Sequence, residues 1–204
     1  MKKILLSLFV LCFFISYSQT NSFNCLDCET APTVGKSTSS QSNTFSHRAL
    51  WDIQVNADPN IIANALAGAL WTGSEFWLAV WNTSDIYTAD ANGAQTGTSF
   101  TISGVSGARS LTTDGTYIYI GTAGTSIYKV DKSTKTLVST IATSVASCRY
   151  CTYDPTLDGG NGGFWTGSYG SDITAVSMSG ATLSTISSST HGLIGIYGLA
   201  YDTY

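Results

Sequence analysis

Charge is scarce in this sequence. Only 11% of its 204 residues are Asp, Glu, Lys or Arg, against about 25% in an ordinary domain. Cations are the rarer sign, 9 against 13 acids, and two of them, Lys2 and Lys3, stand at the extreme N-terminus. So few positive charges exclude the dense phosphate contacts that nucleic acid and anionic membranes demand. Catalytic signatures are lacking too: the chain has no nucleophile elbow, no phosphate-binding loop and no zinc-protease motif. Its 2 histidines, His47 and His191, lie in polar, turn-like surroundings without a nucleophile or acid in a recognisable arrangement, and read as surface residues. No cofactor is implied, and no metal site is assigned.

A membrane-spanning run is lacking as well. The longest apolar stretch, residues 4–15, is too short for a hydrocarbon layer of roughly 30 Å. Behind Lys2-Lys3 and ahead of Ser16-Tyr17-Ser18 it reads instead as a secretory signal, with small residues where signal peptidase needs them. Cleavage is expected after Ser18, which leaves 186 residues (204 − 18) carrying 7 basic and 13 acidic groups, a formal charge of −6. Cys12 belongs to that discarded segment, since Leu11 before it is not the small residue that a lipidation site requires. The expected product is secreted or held at the cell surface, with no transmembrane segment.

What fills the sequence is Ser, Thr, Gly and aromatic residues, the composition of strands joined by tight turns. Residues 19–48 are polar, without hydrophobic period, and are expected to form a disordered leader. From Ala49 the character changes to aromatic and β-branched runs. Asp58-Pro59 heads a short helical spacing, so at most one short helix is expected, over residues 59–65.

An internal repeat then organises residues 49–204. Phe76-Trp77-Leu78-Ala79-Val80 followed by Asp85-Ile86-Tyr87 matches Tyr117-Ile118-Tyr119-Ile120-Gly121 followed by Ser126-Ile127-Tyr128. Both match Phe164-Trp165-Thr166-Gly167 followed by Asp172-Ile173-Thr174. Anchored on Ile86, Ile127 and Ile173, the spacings are 41 and 46 residues, the longer one holding the Asp158-Gly159-Gly160-Asn161-Gly162-Gly163 insertion, a turn. Each unit has an upstream run, anchored by Leu70, Leu111, Cys151 and Leu199, and a closing run such as Leu137-Val138-Ser139-Thr140-Ile141. Four short strands per 40–45 residues are the signature of β-propeller blades. The expectation is an all-β, incomplete propeller of four-stranded antiparallel blades: three blades and the first strand of a fourth. Propellers close with at least about four blades, so the chain reads as continuing into further ones.

The signal, the leader, and the Trp51-Asp52-Ile53-Gln54 and Glu75-Phe76-Trp77-Leu78-Ala79 segments resemble secreted propeller cargo of the type IX (Por) secretion system, and the blades resemble lactonase-like and NHL-like propellers. The resemblance implies type IX export and a C-terminal sorting domain beyond the residues given.

Three sets of residues are candidates for chemistry. Cys25/Cys28 and Cys148/Cys151 are Cys-x-x-Cys pairs with 119 residues between them, far beyond the roughly 15–20 of a structural zinc site. In the repeat register Cys151 takes the place of Leu70, Leu111 and Leu199, and Cys148 that of Ala67, Ala108 and Ile196. All four are therefore disulfide candidates or buried thiols; a metal or redox role is the other reading, and their pairing stays open. Asp114, Asp154 and Asp202 recur at one position, each opening a turn pair, where Asp bonds backbone amides. Arg109, Arg149 and Tyr197 share a register two residues before the first-strand anchor, facing the channel or its rim. Two planar guanidinium forks and a phenol suit a small anionic or sugar ligand, against the alternative that they bond loop carbonyls or acids between blades. The aromatics Trp71, Trp77, Trp81, Phe164, Trp165 and Tyr169 read mainly as packing between blades.

Two functions follow. The first is a non-catalytic extracellular binding or scaffold module whose loops or channel mouth take a small anionic, sugar or protein ligand. The alternative is an enzyme of the lactonase or lyase kind, whose acidic and amide ligands for a divalent cation would lie in further blades.

Overall fold

The computed structural model describes residues 66–96 and 99–202. The signal, the leader, the short helix expected at 59–65, Cys25, Cys28 and His47 lie outside them.

Period-two alternation of apolar residues makes strands, and glycine- and Asp-bearing turns reverse them at short intervals. The result is three antiparallel sheets of four strands each, every strand paired with its sequence neighbour. The first holds β1 (Leu66–Trp71), β2 (Phe76–Val80), β3 (Asp85–Ala89) and the two-residue β4 (Phe100–Thr101). The second holds β5 (Ala108–Thr113), β6 (Tyr117–Thr122), β7 (Ser126–Asp131) and β8 (Thr136–Ala142). The third holds β9 (Tyr150–Asp154), β10 (Gly163–Gly167), β11 (Ile173–Ser177) and β12 (Thr182–Ile186). Strand β5 packs beside both β1 and β9, so the first strands lie innermost and the sheets fan out as propeller blades. The expected turns at Asp114-Gly115 and at the glycine-rich insertion both fall between the first and second strands of their sheets.

The core lies between blades, and the alternation assigns each side chain to a seam. On β6, Ile118 and Ile120 face the first blade and join Trp77, Ala79, Ile86, Ile102 and Leu111. Tyr119, between them, faces the third blade and joins Ile127, Cys148, Cys151, Phe164 and Val176. On β7, Val130 goes with the first set and Ile127 with the second.

Adjacent first and second strands need a small residue on one side. Gly68 pairs with Ala79, Ser110 with Gly121, and Tyr150 with Gly167. A β-carbon on Gly121 would run into the Cys148 carbonyl and the Ser110 hydroxyl, and one on Gly167 into the Tyr150 ring.

Every blade also fastens an aromatic of its second strand to an acid between the end of its first strand and the start of its second. Trp77 Nε1 donates to Glu75 Oε1 (3.0 Å), Tyr119 Oη to Asp114 Oδ2 (2.7 Å) and Trp165 Nε1 to Asp154 Oδ2 (2.9 Å). The other oxygen of Asp114 accepts from the Thr116 and Tyr117 amides (2.8 and 2.7 Å), and that of Asp154 from Thr156 (2.8 Å). Asp114 and Asp154 thus build turns, as their pairing with Gly and Pro implied, and anchor buried rings as well. Burial pushes both carboxyls up, but these donors outweigh it and hold them below the ordinary Asp value.

Two points of register differ from the repeat as read in sequence. Gly68 and Ser110 hold equivalent pairings 42 residues apart (110 − 68) rather than 41. Ala69, not Leu70, is therefore the first-blade counterpart of Leu111 and Cys151, and Leu66, not Ala67, that of Ala108 and Cys148. The extra residue lies in the second turn of blade one, which spans residues 81–84 against 123–125 in blade two. Beyond Ile186 the start of a fourth repeat is placed but forms no strand among the described residues. Ile196 makes a single bridge to Tyr169 and its amide donates to the Tyr169 carbonyl (3.0 Å). The Ala108 amide donates likewise to Thr83 (3.1 Å) and the Cys148 amide to Gly124 (2.9 Å). Ile196 is thus the third member of that register. Past it, residues 197–202 lack a second described strand to pair with, and without a ladder partner extended backbone is not a sheet.

Candidate functional site: a cationic, aromatic cleft at the inner rim

The start of each first strand carries the site. In β1 and β5 the pairing skips one residue, Ala67 and Arg109 respectively, and such a bulge frees a side chain from the sheet and re-aims it. Arg149 precedes Tyr150 as Arg109 precedes Ser110, and Tyr197 follows Ile196 as Arg109 follows Ala108. The structure brings Arg109, Arg149 and Tyr197 to one cleft, together with Ala67, Trp81, Tyr169 and Ile196. The cleft encloses roughly 250 Å³, part of it open to solvent.

Cations and rings alternate across it. The Arg109 guanidinium lies 3.9 Å from the centroid of the Trp81 ring, and that of Arg149 lies 4.5 Å from Tyr169 and 5.9 Å from Trp81. Tyr197 meets Tyr169 edge to face at 5.1 Å. Arrangements of this kind contribute about 0.5–2 kcal/mol each, more where water is excluded.

The two arginines differ. Arg109 is 6% exposed. Its Nη1 donates to the Ala108 carbonyl (3.0 Å) and its Nη2 to Asn82 Oδ1 (3.2 Å) across the seam to blade one. Its Nε is buried without a partner among the described residues. Burial first, and the Arg149 charge second, pull this guanidinium below its ordinary pKa. Arg149 is only half buried and donates from Nη1 to Tyr169 Oη (2.9 Å). Among the described residues no acidic side chain lines the cleft, so the two like charges lack a described lining counter-ion, and an anion entering it relieves both their repulsion and their desolvation.

Sequence reading missed two contributors. Trp81, read as packing, is 38% exposed and supplies the ring shared by both arginines. Asn82, in the left-handed region at φ 62°, holds Arg109. Both lie in the second turn of the first blade, one residue longer than that of the second, and the unequal turn lengths are the only signal that pointed to them. Trp71 is likewise exposed, at the edge of Phe76 (4.9 Å), whereas Trp77 and Phe164 fill the seams as expected.

The other candidates lie apart from the cleft lining. Cys148 and Cys151 are buried free thiols in the second seam, with Cys148 Sγ 3.4 Å from Thr143 Oγ1. Burial raises both thiols above the ordinary value, away from a reactive thiolate. They carry no disulfide here, and a partnership with Cys25 or Cys28 lies outside the described residues. Among the described residues no three of His, Cys, Asp and Glu gather as metal ligands, and no helix is long and apolar enough to cross a membrane. His191 is half buried, with Nε2 3.2 Å from the Ser171 carbonyl and Nδ1 accepting from the Leu193 amide (3.0 Å).

No family model and no curated sequence matches the chain. Among solved structures it is similar to a Myxococcus xanthus glutaminyl cyclase, with TM-score 0.50 and 14% identity over 67% of this chain and 62% of that one. It thus spans about three-fifths of that protein's length. A Kuenenia stuttgartiensis hydrazine synthase aligns at TM-score 0.47 and 15% identity, covering 74% of this chain and 42% of that one. At such identities the first likeness concerns the fold alone.

Proposed function

We propose that this protein is a secreted or cell-surface binding module, a propeller-type scaffold that takes a small anionic or sugar ligand in the cleft of Arg149, Arg109 and Tyr197. One observation carries the reading: two guanidinium groups and three aromatic rings converge on a cleft that, among the described residues, has no acidic side chain in its lining. The repeat supports it, because equivalent blade positions stand at equivalent radius and height, where propellers present ligand sites. The N-terminal signal supports secretion, and the likeness to type IX cargo supports that route and attachment through a C-terminal sorting domain.

Calorimetric titration with small anions and neutral sugars tests the site. Binding of an anion in the millimolar range or tighter, lost in Arg149→Gln at an unchanged melting temperature, is the expected outcome. Absence of binding to any anion overturns it. Intact-mass measurement of secreted protein tests the compartment, with Gln19 expected as the first residue.

A further inference from the structure

We infer that the occupant of this cleft is a carboxylate carried on a ring. The inference rests on the anion-site reading above and narrows it.

Charge alone would not distinguish this from a bare oxyanion; the walls do. Inorganic oxyanions are commonly cradled by successive backbone N–H groups in a concave nest, whereas this cleft is walled by Trp81, Tyr169, Tyr197, Ile196 and Ala67. Such walls reward a ligand with a ring to bury. Tyr197 is 66% exposed and meets Tyr169 only edge to face, which leaves ring surface open at the mouth.

The polar end of the ligand is set by the arginines. Arg149 spends Nη1 on Tyr169, and its planar fork matches two carboxylate oxygens. Arg109 lines the same cleft and adds a second positive charge. A carboxylate between the two guanidinium groups offsets their mutual repulsion. The carboxylate thus lies inward on the arginines and the ring outward against Tyr197. Uronic acids and aromatic acids share this chemistry.

Calorimetry on the purified secreted protein with glucuronate, benzoate, acetate, inorganic phosphate and glucose separates the cases. At least one of the two ring acids is expected to bind tenfold or more tighter than acetate, phosphate and glucose; which of the two is tighter tells a sugar acid from an aromatic one. Tyr197→Ala is expected to reduce ring-acid affinity about tenfold without changing acetate binding, and Tyr197→Phe to stay within threefold of the parent. Acetate or phosphate binding as tightly as the ring acids, or ring-acid binding indifferent to Tyr197→Ala, overturns the inference while leaving the anion site standing. Glucose binding as tightly as glucuronate overturns the inference and leaves the sugar reading of the site; no binding by any anion or sugar overturns both.

Discussion

The seam between the first and second blades and the seam between the second and third obey one alternation but are filled differently. The first is mainly aliphatic, closed by Trp77, with Phe100 packed against its edge at 4.9 Å. The second holds Tyr119, Phe164 and two thiols, the rings of Tyr119 and Phe164 4.7 Å apart. At the inner end of each seam stands an arginine of the same register. Arg109 closes its seam, because the longer turn of blade one delivers Trp81 and Asn82 to it. Arg149 meets no such insertion at its own seam, where the turn of blade two is Ala123-Gly124-Thr125, without a ring or an amide side chain, and it turns to Tyr169 of its own blade. A turn one residue longer ties one of two cleft-lining arginines to its seam and leaves the other more open to the cleft.

The comparison breaks most readily in the cores. Trp77→Ala and Phe164→Ala should each cost about 3–5 kcal/mol in urea unfolding, since both side chains are fully buried. A loss under about 1 kcal/mol at either would mean that its seam is not filled by that ring. Gly121→Ala should cost about 1–3 kcal/mol by overpacking against the Cys148 backbone. Blade one takes Ala79 at the matching position because Gly68 faces it, so Ala79→Gly should cost less than Gly121→Ala. An inverted order would contradict the small-residue rule.

A smaller effect concerns acid. The folded pKa values of Asp114 and Asp154 lie below the ordinary value. Their contribution is therefore complete above the unfolded value, near pH 4, and is lost as pH falls through the depressed folded values. Melting temperature should drop below about pH 4, and Asp114→Asn should flatten part of that drop. A parent and an Asn variant with the same acid profile would remove Asp114 from the account.

The strands and blades were legible because alternation and turn residues recur at near-constant spacing. Within blades two and three the register was legible to the residue, as Cys148 and Cys151 in the slots of Ala108 and Leu111 show. In blade one it slipped by a residue, since the anchors Ile86 and Ile127 lie beyond the longer turn while Gly68 and Ser110 lie before it. The convergence of Arg109, Arg149 and Tyr197 followed from register. Their division of labour did not, because it depends on the left-handed backbone of Asn82 and the ring of Trp81. The acid–aromatic fasteners were hidden for a related reason: their sequence separations are 2, 5 and 11 residues, so no single motif describes them. The fourth repeat was read as a strand from its apolar pattern, but pattern does not supply a partner.

The central claim is that Arg109 fastens and Arg149 binds. Side-by-side urea unfolding and ligand titration of Arg109→Ala and Arg149→Ala test it directly. Arg109→Ala should lose about 1–2 kcal/mol of stability, for one buried and one partly buried hydrogen bond and a stacked ring, whereas Arg149→Ala should stay within about 0.5 kcal/mol of the parent and lose at least tenfold in anion affinity. Equal destabilisation by both substitutions, with anion affinity untouched in Arg149→Ala, would show two fasteners and contradict the account.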